Sequence, residues 1–338
     1  MDKVTVIGFK ASGKTCYLAG MYDIMSNGIE SFSLVEKNSD QDWYLQGLWE
    51  QISDGANRSW PVPNDDKRVY SFSLCHSFDK IIEFEWLDYP GAALVDPGYG
   101  LIDEIKNQLS ESACLLVLVN GESFAFDGKP ADQKRIQAAS LDEYKKIVAK
   151  NLKRNKDLEA VRQLTKIGSE DVVLPPIGIV VTKCDLIEDE WVPYVQEILR
   201  ENFKSIFAEG GEDDRIVMMA AVTLGNDIQF GGDADPVDIE LPIAFAVLSI
   251  LRKYVIAARV LKKKTDTDLS EHEKSIFRVF KPGQAKKLRE ETAKMDKIIA
   301  KLSRDAIRLL DLFEESKPIY INGEKQNFKK YFREDFNT

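Results

Sequence analysis

The chain is poor in the residues that build metal clusters and covalent frameworks. Its 338 residues include four cysteines, Cys16, Cys75, Cys114 and Cys184, with no CxxC pair, and two histidines, His76 and His272. That inventory argues against a zinc site and against a disulfide scaffold. Long hydrophobic runs are missing too. Leu115 to Val119 is typical of the longest, far short of the roughly 20 apolar residues that span a bilayer, so no transmembrane helix is expected. The opening Met-Asp-Lys-Val-Thr-Val-Ile-Gly has no basic stretch leading into an apolar one, so no secretory signal is read and a cytoplasmic location is expected. Collagen-like and low-complexity classes are excluded by composition.

What is present is enough apolar surface to fold. The chain is 44% hydrophobic and 10% aromatic, which offsets chain entropy and rules out disorder over most of its length. Charge is unevenly spread. The formal net charge is -10, but residues 258–338 hold 20 Lys+Arg against 14 Asp+Glu, leaving 26 against 42 in residues 1–257. We therefore expect two parts, 1–257 and a basic helical extension, 258–338. The acidic first part disfavours nucleic-acid binding. The basic part is either a solvated helical surface or a contact for an acidic partner, a membrane surface or the first part.

The most informative stretch is Val4 to Ile7 followed by Gly8-Phe9-Lys10-Ala11-Ser12-Gly13-Lys14-Thr15 and a helix-compatible run from Cys16 to Met25. This is GxxxxGK[ST] in a strand-loop-helix setting, the loop that wraps backbone N–H groups around phosphates at a positive helix end. Gly8, Ala11, Ser12, Gly13, Lys14, Thr15 and Cys16 are the expected nucleotide contacts. Lys14 reaches the β and γ phosphates and Thr15 ligates Mg2+.

Two further motifs follow in order. The strand Ile81 to Leu87 ends in Asp88-Tyr89-Pro90-Gly91, an Asp-x-x-Gly in which Asp88 holds Mg2+ through water and the Gly91 amide senses the γ phosphate. An apolar strand from Ile177 to Val181 ends in Thr182-Lys183-Cys184-Asp185, the [NT]KxD form. A carboxylate at Asp185 pairs with the N1–H and 2-amino hydrogens of guanine, the Lys183 stem lies over the base, and adenine offers no such pair of donors. Ala220-Ala221-Val222-Thr223, after another apolar strand, stands where a loop would reach the base, with Ala221 as the contact.

These motifs resemble a P-loop GTPase of the Ras-like, translation-factor-related class. The resemblance implies an α/β fold, a G domain with a mixed sheet and helices on both faces, followed here by a C-terminal helical extension. The Trp60-Pro61 segment, the Asp88-Tyr89-Pro90-Gly91 form and the long spacings look like bacterial double-GTPase proteins. That family is associated with conflict and antiviral defence systems and with partner GTPases and effectors.

Several features depart from a minimal GTPase. Lys14 and Asp88 lie 74 positions apart and Asp88 and Asp185 lie 97 apart, so insertions are expected before Asp88 and within 124–173. The second should hold a packed accessory helix, with Leu141, Tyr144, Lys145 and Val148 at helical spacing. No threonine occurs between Thr15 and Thr165, so the Mg2+-binding threonine of a first switch is absent, with Ser59 and Asn64 as partial substitutes. Ala92 stands where a water-orienting Gln is common, so hydrolysis is expected to be slow, with Lys14 and Lys10 as the catalytic cations and Arg58 as another candidate near the γ phosphate.

At the C-terminal end, Ser270-Glu271-His272-Glu273 has capping-box spacing, so a helix should start there and stop before Lys281-Pro282-Gly283, with His272 exposed. A second helix carries Leu288, Thr292, Met295, Ile299, Leu302, Ala306, Leu309 and Phe313 at heptad spacing. It is either one arm of an intramolecular hairpin or, over 286–315, a seam for a homo- or hetero-oligomer. Asn322-Gly323 should turn a β-hairpin, and Phe328, Tyr331, Phe332 and Phe336 suit docking to a surface. The function expected is a GTP-binding switch that controls a partner. The alternatives are a nucleotide-holding structural subunit and an ATP-dependent enzyme.

Overall fold

Short β-branched and aliphatic runs make the central strands of this computed structural model. It describes the chain apart from residues 9–10, 56, 63–65, 92, 97, 99, 126–139, 170–172, 208–214, 227, 275–281, 316 and 338. The elements run β1 (Asp2–Gly8), α1 (Lys14–Asn27), β2 (Phe32–Glu36), α2 (Ser39–Ser53), β3 (Arg68–His76), β4 (Asp79–Asp88), α3 (Ile102–Glu111) and β5 (Cys114–Asn120). They continue with α4 (Leu141–Arg154), α5 (Asp157–Ser169), β6 (Ile177–Thr182), α6 (Val195–Asn202), α7 (Lys204–Phe207) and β7 (Ile216–Ala221). Last come α8 (Leu241–Lys274), α9 (Pro282–Leu309), β8 (Pro318–Ile321), β9 (Glu324–Asn327) and α10 (Phe328–Asn337).

The described strands form one nine-stranded mixed sheet in the order β2-β3-β4-β1-β5-β6-β7-β8-β9. β4, β1, β5, β6 and β7 are parallel neighbours, whereas β3 runs antiparallel to both β2 and β4, and β8 is antiparallel to β7. Every residue of β5 and β6 is buried, which is why both read as unbroken apolar runs: a parallel strand covered on both faces has no polar side to show.

The chain divides into two units, the first comprising 1–246 and 318–326, the second 247–317 and 327–338. The division falls inside α8, not at the expected 257, and it separates the terminal hairpin from the helical extension. In the first unit β8 extends the sheet through Ile216 opposite Ile321 and Met218 opposite Ile319. Asn322 and Gly323, with φ of 49° and 82°, turn the chain into β9 as an Asn-Gly hairpin does. Tyr320 is buried edge-on to Phe207 at 5.4 Å.

Helices cover both faces of the first unit's sheet. The α4 face carrying Tyr144, Val148 and Leu152 is buried, Tyr144 stacks on Trp191 at 4.4 Å, and Lys145 points outward to Glu197 and Glu201 at 2.6 and 2.7 Å. The accessory helix of the second insertion is thus packed; residues 126–139 of that insertion lie outside the described residues. In the first insertion α2 is capped by the Asn38 side chain, which accepts from the Asp40 and Gln41 amides. Its Leu45, Leu48 and Ile52 face inward.

In the second unit, α8 and α9 pair side by side, with Lys262 to Asp296 at 2.6 Å and Thr292 donating to Asp266 at 3.0 Å. Of the heptad positions, Ala306, Leu309 and Phe313 are buried, whereas Leu288, Thr292, Met295, Ile299 and Leu302 are half-buried. α10 buries Phe328, Phe332 and Phe336, and Phe313 stacks on Phe328 at 4.2 Å. The expectation of a new helix at Ser270 is corrected. α8 runs without a break from Leu241 to Lys274 because no glycine or proline follows Pro242. Within it Thr265 and Thr267 return their hydroxyls to the carbonyls of Leu261 and Lys263, one turn back. The His272 side chain lies outside the described residues. By length and composition Leu241–Glu271 passes as a membrane span, against the sequence expectation, but 67% of its apolar window is buried, as in the core helix of a globular protein.

Candidate functional site

The carboxyl ends of the parallel strands lie along one sheet edge, the place where open α/β sheets collect ligands. Gly8 ends β1, Asp88 ends β4, Asn120 ends β5, Thr182 ends β6 and Ala221 ends β7, with Val6 opposite Asp88 and Asn120 opposite Thr182 in register.

The loop after β1 folds back on itself. A Cβ on Gly8 would meet Ser12 Oγ at 2.5 Å, so a larger residue there would have to turn the serine side chain aside. Gly13 takes left-handed φ of 71° and precedes the first turn of α1, where Lys14 and the half-buried Thr15 stand. Lys14 Nζ donates to Asp88 in an ion pair that is almost wholly buried. Burial holds the Asp88 carboxyl above the usual carboxylate range, while Lys14 and, more weakly, Arg68 pull it back down. Arg68 is the residue opposite Asp88 in the β3–β4 pairing. Tyr89 N donates to Val6 O at 3.2 Å, which carries the β1–β4 alignment one residue beyond Asp88. Gly91 is half-buried just past it.

On the other side of the loop stands the Thr182-Lys183-Cys184-Asp185 segment. Thr182 Oγ1 donates to the Ser12 carbonyl at 2.6 Å, tying this strand end to the loop after β1. Lys183 adopts left-handed φ of 52° and its ammonium donates to Glu122 Oε1 at 2.5 Å. Its stem passes beside Gly13, where an added Cβ would lie 3.8 Å from Lys183 Cε. Asp185 Oδ1 accepts from Thr223 Oγ1 at 2.8 Å. Cys184 N donates to Val222 O at 3.2 Å, so the segments after β6 and β7 are fastened together, with Ala221 half-buried at the end of β7. Burial pushes the Cys16 thiol up to about 11, against the opposing pull of Lys183.

The structure therefore brings together Gly8, Ala11 to Cys16, Asp88, Gly91, Thr182, Lys183, Asp185 and Ala221. Lys10, Asn64 and Ala92 lie outside the described residues. Arg58 is not aimed at a phosphate position: its guanidinium donates to the carbonyls of Ile52, Ile228 and Gly232 at 2.7, 2.5 and 2.8 Å. Ser59 is exposed and donates its amide to Gln51 O.

Residues that motif reading passed over also shape the site. Glu122 holds Lys183, and Asn120 accepts from the Glu122 amide at 3.0 Å. Gly121 brings two backbones together, since a Cβ there would lie 2.3 Å from Thr182 O and 2.5 Å from Lys183 O. The available signal was the polar run Asn120-Gly121-Glu122 directly after an all-apolar strand. Among the described residues no group of three or more His, Cys, Asp or Glu side chains gathers as a metal cluster. No family model matches the chain, and no curated protein matches its sequence.

Proposed function

We propose that this edge binds a guanine nucleotide with Mg2+ and that the chain works as a GTP-dependent switch with slow hydrolysis, acting on an effector or partner GTPase. The observation that carries the reading is the placement of Asp185. Its carboxylate is oriented by Thr223 beside a lysine whose stem runs along the phosphate-loop glycine, the combination that would read a guanine edge and cover its face. The strand order supports it. Setting aside β2, β8 and β9, the order β3-β4-β1-β5-β6-β7 with β3 antiparallel is compatible with the Ras-like arrangement expected of a G domain.

In this reading the amides of Ala11 to Cys16 hold the phosphates, and Lys14 exchanges its bond with Asp88 for the β and γ oxygens. The Thr15 hydroxyl and the Asp88 carboxylate are the hard oxygen donors that Mg2+ takes, and the pair Lys14–Asp88 already balances charge there. Bound Mg2+ supplies neutralisation of the developing phosphate charge. A cytoplasmic location and a place among double-GTPase proteins of defence systems belong to the same proposal, on the strength of the motifs.

One observation favours a second reading, a subunit that holds nucleotide with little turnover. Arg58 has its guanidinium engaged by three carbonyls, which leaves it unavailable as a γ-phosphate cation. The ATP-dependent reading is weakened by Asp185, to which adenine offers no matching pair of donors. Equilibrium binding of fluorescent GDP, ATP and xanthosine diphosphate to wild type and Asp185→Asn tests the proposal. GDP should bind the wild type and xanthosine diphosphate the variant. ATP binding as tight as GDP binding would refute the guanine assignment.

A further inference from the structure

Arg58 lies in the segment where a first switch was expected, yet it is built into the far side of the base-reading loop. That loop, 223–237, closes on itself. Thr223 and Val237 exchange backbone bonds at 3.3 and 3.0 Å, and Asp235 N donates to Leu224 O at 2.8 Å. The chain turns sharply at Gly225, with φ of 145° and so little room that a Cβ would lie 2.1 Å from Asp233 O. Gly225 N in turn donates to the hydroxyl of Thr223 at 3.0 Å, the hydroxyl that orients Asp185.

Two bonds of the Arg58 fork end on this loop, at Ile228 O and Gly232 O, and the third ends on Ile52 O, in the last turn of α2. Beneath the fork an apolar cluster joins Ala19 of α1, Leu48 and Ile52 of α2, and Ile228 of the loop. One planar cation thus satisfies three carbonyls from segments some 170 positions apart. Guanidinium geometry allows this, and a lysine ammonium, a point charge without a fixed fork, does not.

We propose that Arg58 is a positioning residue for the base-reading loop. It holds loop 223–237 and hence Thr223 and Asp185 in place, and it couples nucleotide retention to the conformation of residues 57–62. The proposal rests on the guanine reading of Asp185. Coupling of this kind is reciprocal: a partner that draws 57–62 away from the loop promotes nucleotide release, and bound nucleotide resists that partner.

The experiment is dissociation of a fluorescent GDP from the full chain, for wild type, Arg58→Lys and Arg200→Gln. Arg200 is a control of similar construction, since it donates to Gly323 O at 3.2 Å and lies 5.1 Å over the Tyr320 ring, away from the loop. Loss of charge-assisted bonds from Arg58 should speed GDP release about tenfold or more, and Arg200→Gln should leave it unchanged. Equal release from Arg58→Lys and wild type, or equal acceleration in both variants, would overturn the proposal.

Hydrogen exchange on the nucleotide-free chain gives a second readout. In Arg58→Lys the amides of Ser59 and Asp235 should exchange faster together; faster exchange at Ser59 alone refutes the coupling. If the wild type binds no guanine nucleotide, the guanine reading fails by itself, and the exchange result still decides whether Arg58 holds the loop.

Discussion

Thr223 donates its hydroxyl proton to Asp185 at 2.8 Å and receives the Gly225 amide proton at 3.0 Å, so a buried hydroxyl transmits the shape of a loop to a carboxylate. Replacing it by valine keeps the volume and removes both bonds. A charge-assisted hydrogen bond contributes about 1.5–3 kcal/mol, so Thr223→Val should weaken GDP binding by at least about tenfold, while Thr223→Ser stays near wild type. Titration calorimetry reads the difference, and equal affinities for Val and Ser would mean that Asp185 needs no support.

Gly121 is the point where the turn after β5 touches the backbone of Thr182 and Lys183. A methyl group 2.3 Å from a carbonyl oxygen cannot be accommodated by rotating a side chain, so Gly121→Ala must shift the segment that carries Lys183 and Asp185. Overpacking of this kind costs about 1–3 kcal/mol. A urea melt should show that loss together with weaker GDP binding. Undiminished stability would place the two backbones further apart than described.

Lys14 and Asp88 form a buried pair, and removal of one partner leaves the other charge uncompensated. The nucleotide-free Lys14→Ala protein should lose about 3–5 kcal/mol of stability. Lys14→Met with Asp88→Asn should recover most of it, because no buried charge is orphaned. The check is a denaturant melt of each. It also warns that Lys14→Ala tests folding as well as phosphate binding.

Asp157, at the start of α5, is fully buried; its Oδ2 accepts from Ser123 at 3.0 Å and its Oδ1 has no partner. Burial raises its carboxyl to about 7, with the Ser123 bond pulling the other way. A raised folded-state value means that the folded protein binds this proton more tightly than the unfolded one. The group's contribution to stability is therefore greatest below the unfolded value of 3.8 and is lost as pH rises through about 7. Relative to Asp157→Asn, the wild type should lose up to roughly 4 kcal/mol between pH 4 and 8. Thermal melts across that range check it, and a constant difference between the two proteins would refute it.

The sheet was largely legible from local pattern. β5 and β6 show apolar runs that stop at Asn120 and Thr182, because a strand buried on both faces has no polar side to show, while β4 alternates Phe84 and Trp86 with Glu83 and Glu85 before Asp88. β2 was not, since Phe32, Leu34 and Glu36 alternate inward over only five residues. α2 was also missed: Leu45, Leu48 and Ile52 sit among Asp, Gln and Trp, and exposed Trp43 blurs the stripe. In the candidate site, motif spacing pointed to residues 8–15, Asp88 and Asp185, which the structure sets at the ends of β1, β4 and β6. Glu122, Thr223 and Arg58 act through partners set by the fold. Among the described residues the hydrogen bonds of Arg58 go to backbone carbonyls, which leave no trace in side-chain identity.

The antiparallel seam between β7 and β8 also bears on how the chain reaches its native state. Ile216 meets Ile321 across more than 100 positions, with α8 and α9 made in between. During synthesis the apolar flank of β7 waits unpaired until the last strands emerge, and such late, long-range pairing is slow and exposed to misassociation. The sheet of the first unit is complete only once the four-residue β8 has docked on β7. Conditions that delay it should favour aggregation even when every residue of the candidate site is already in place.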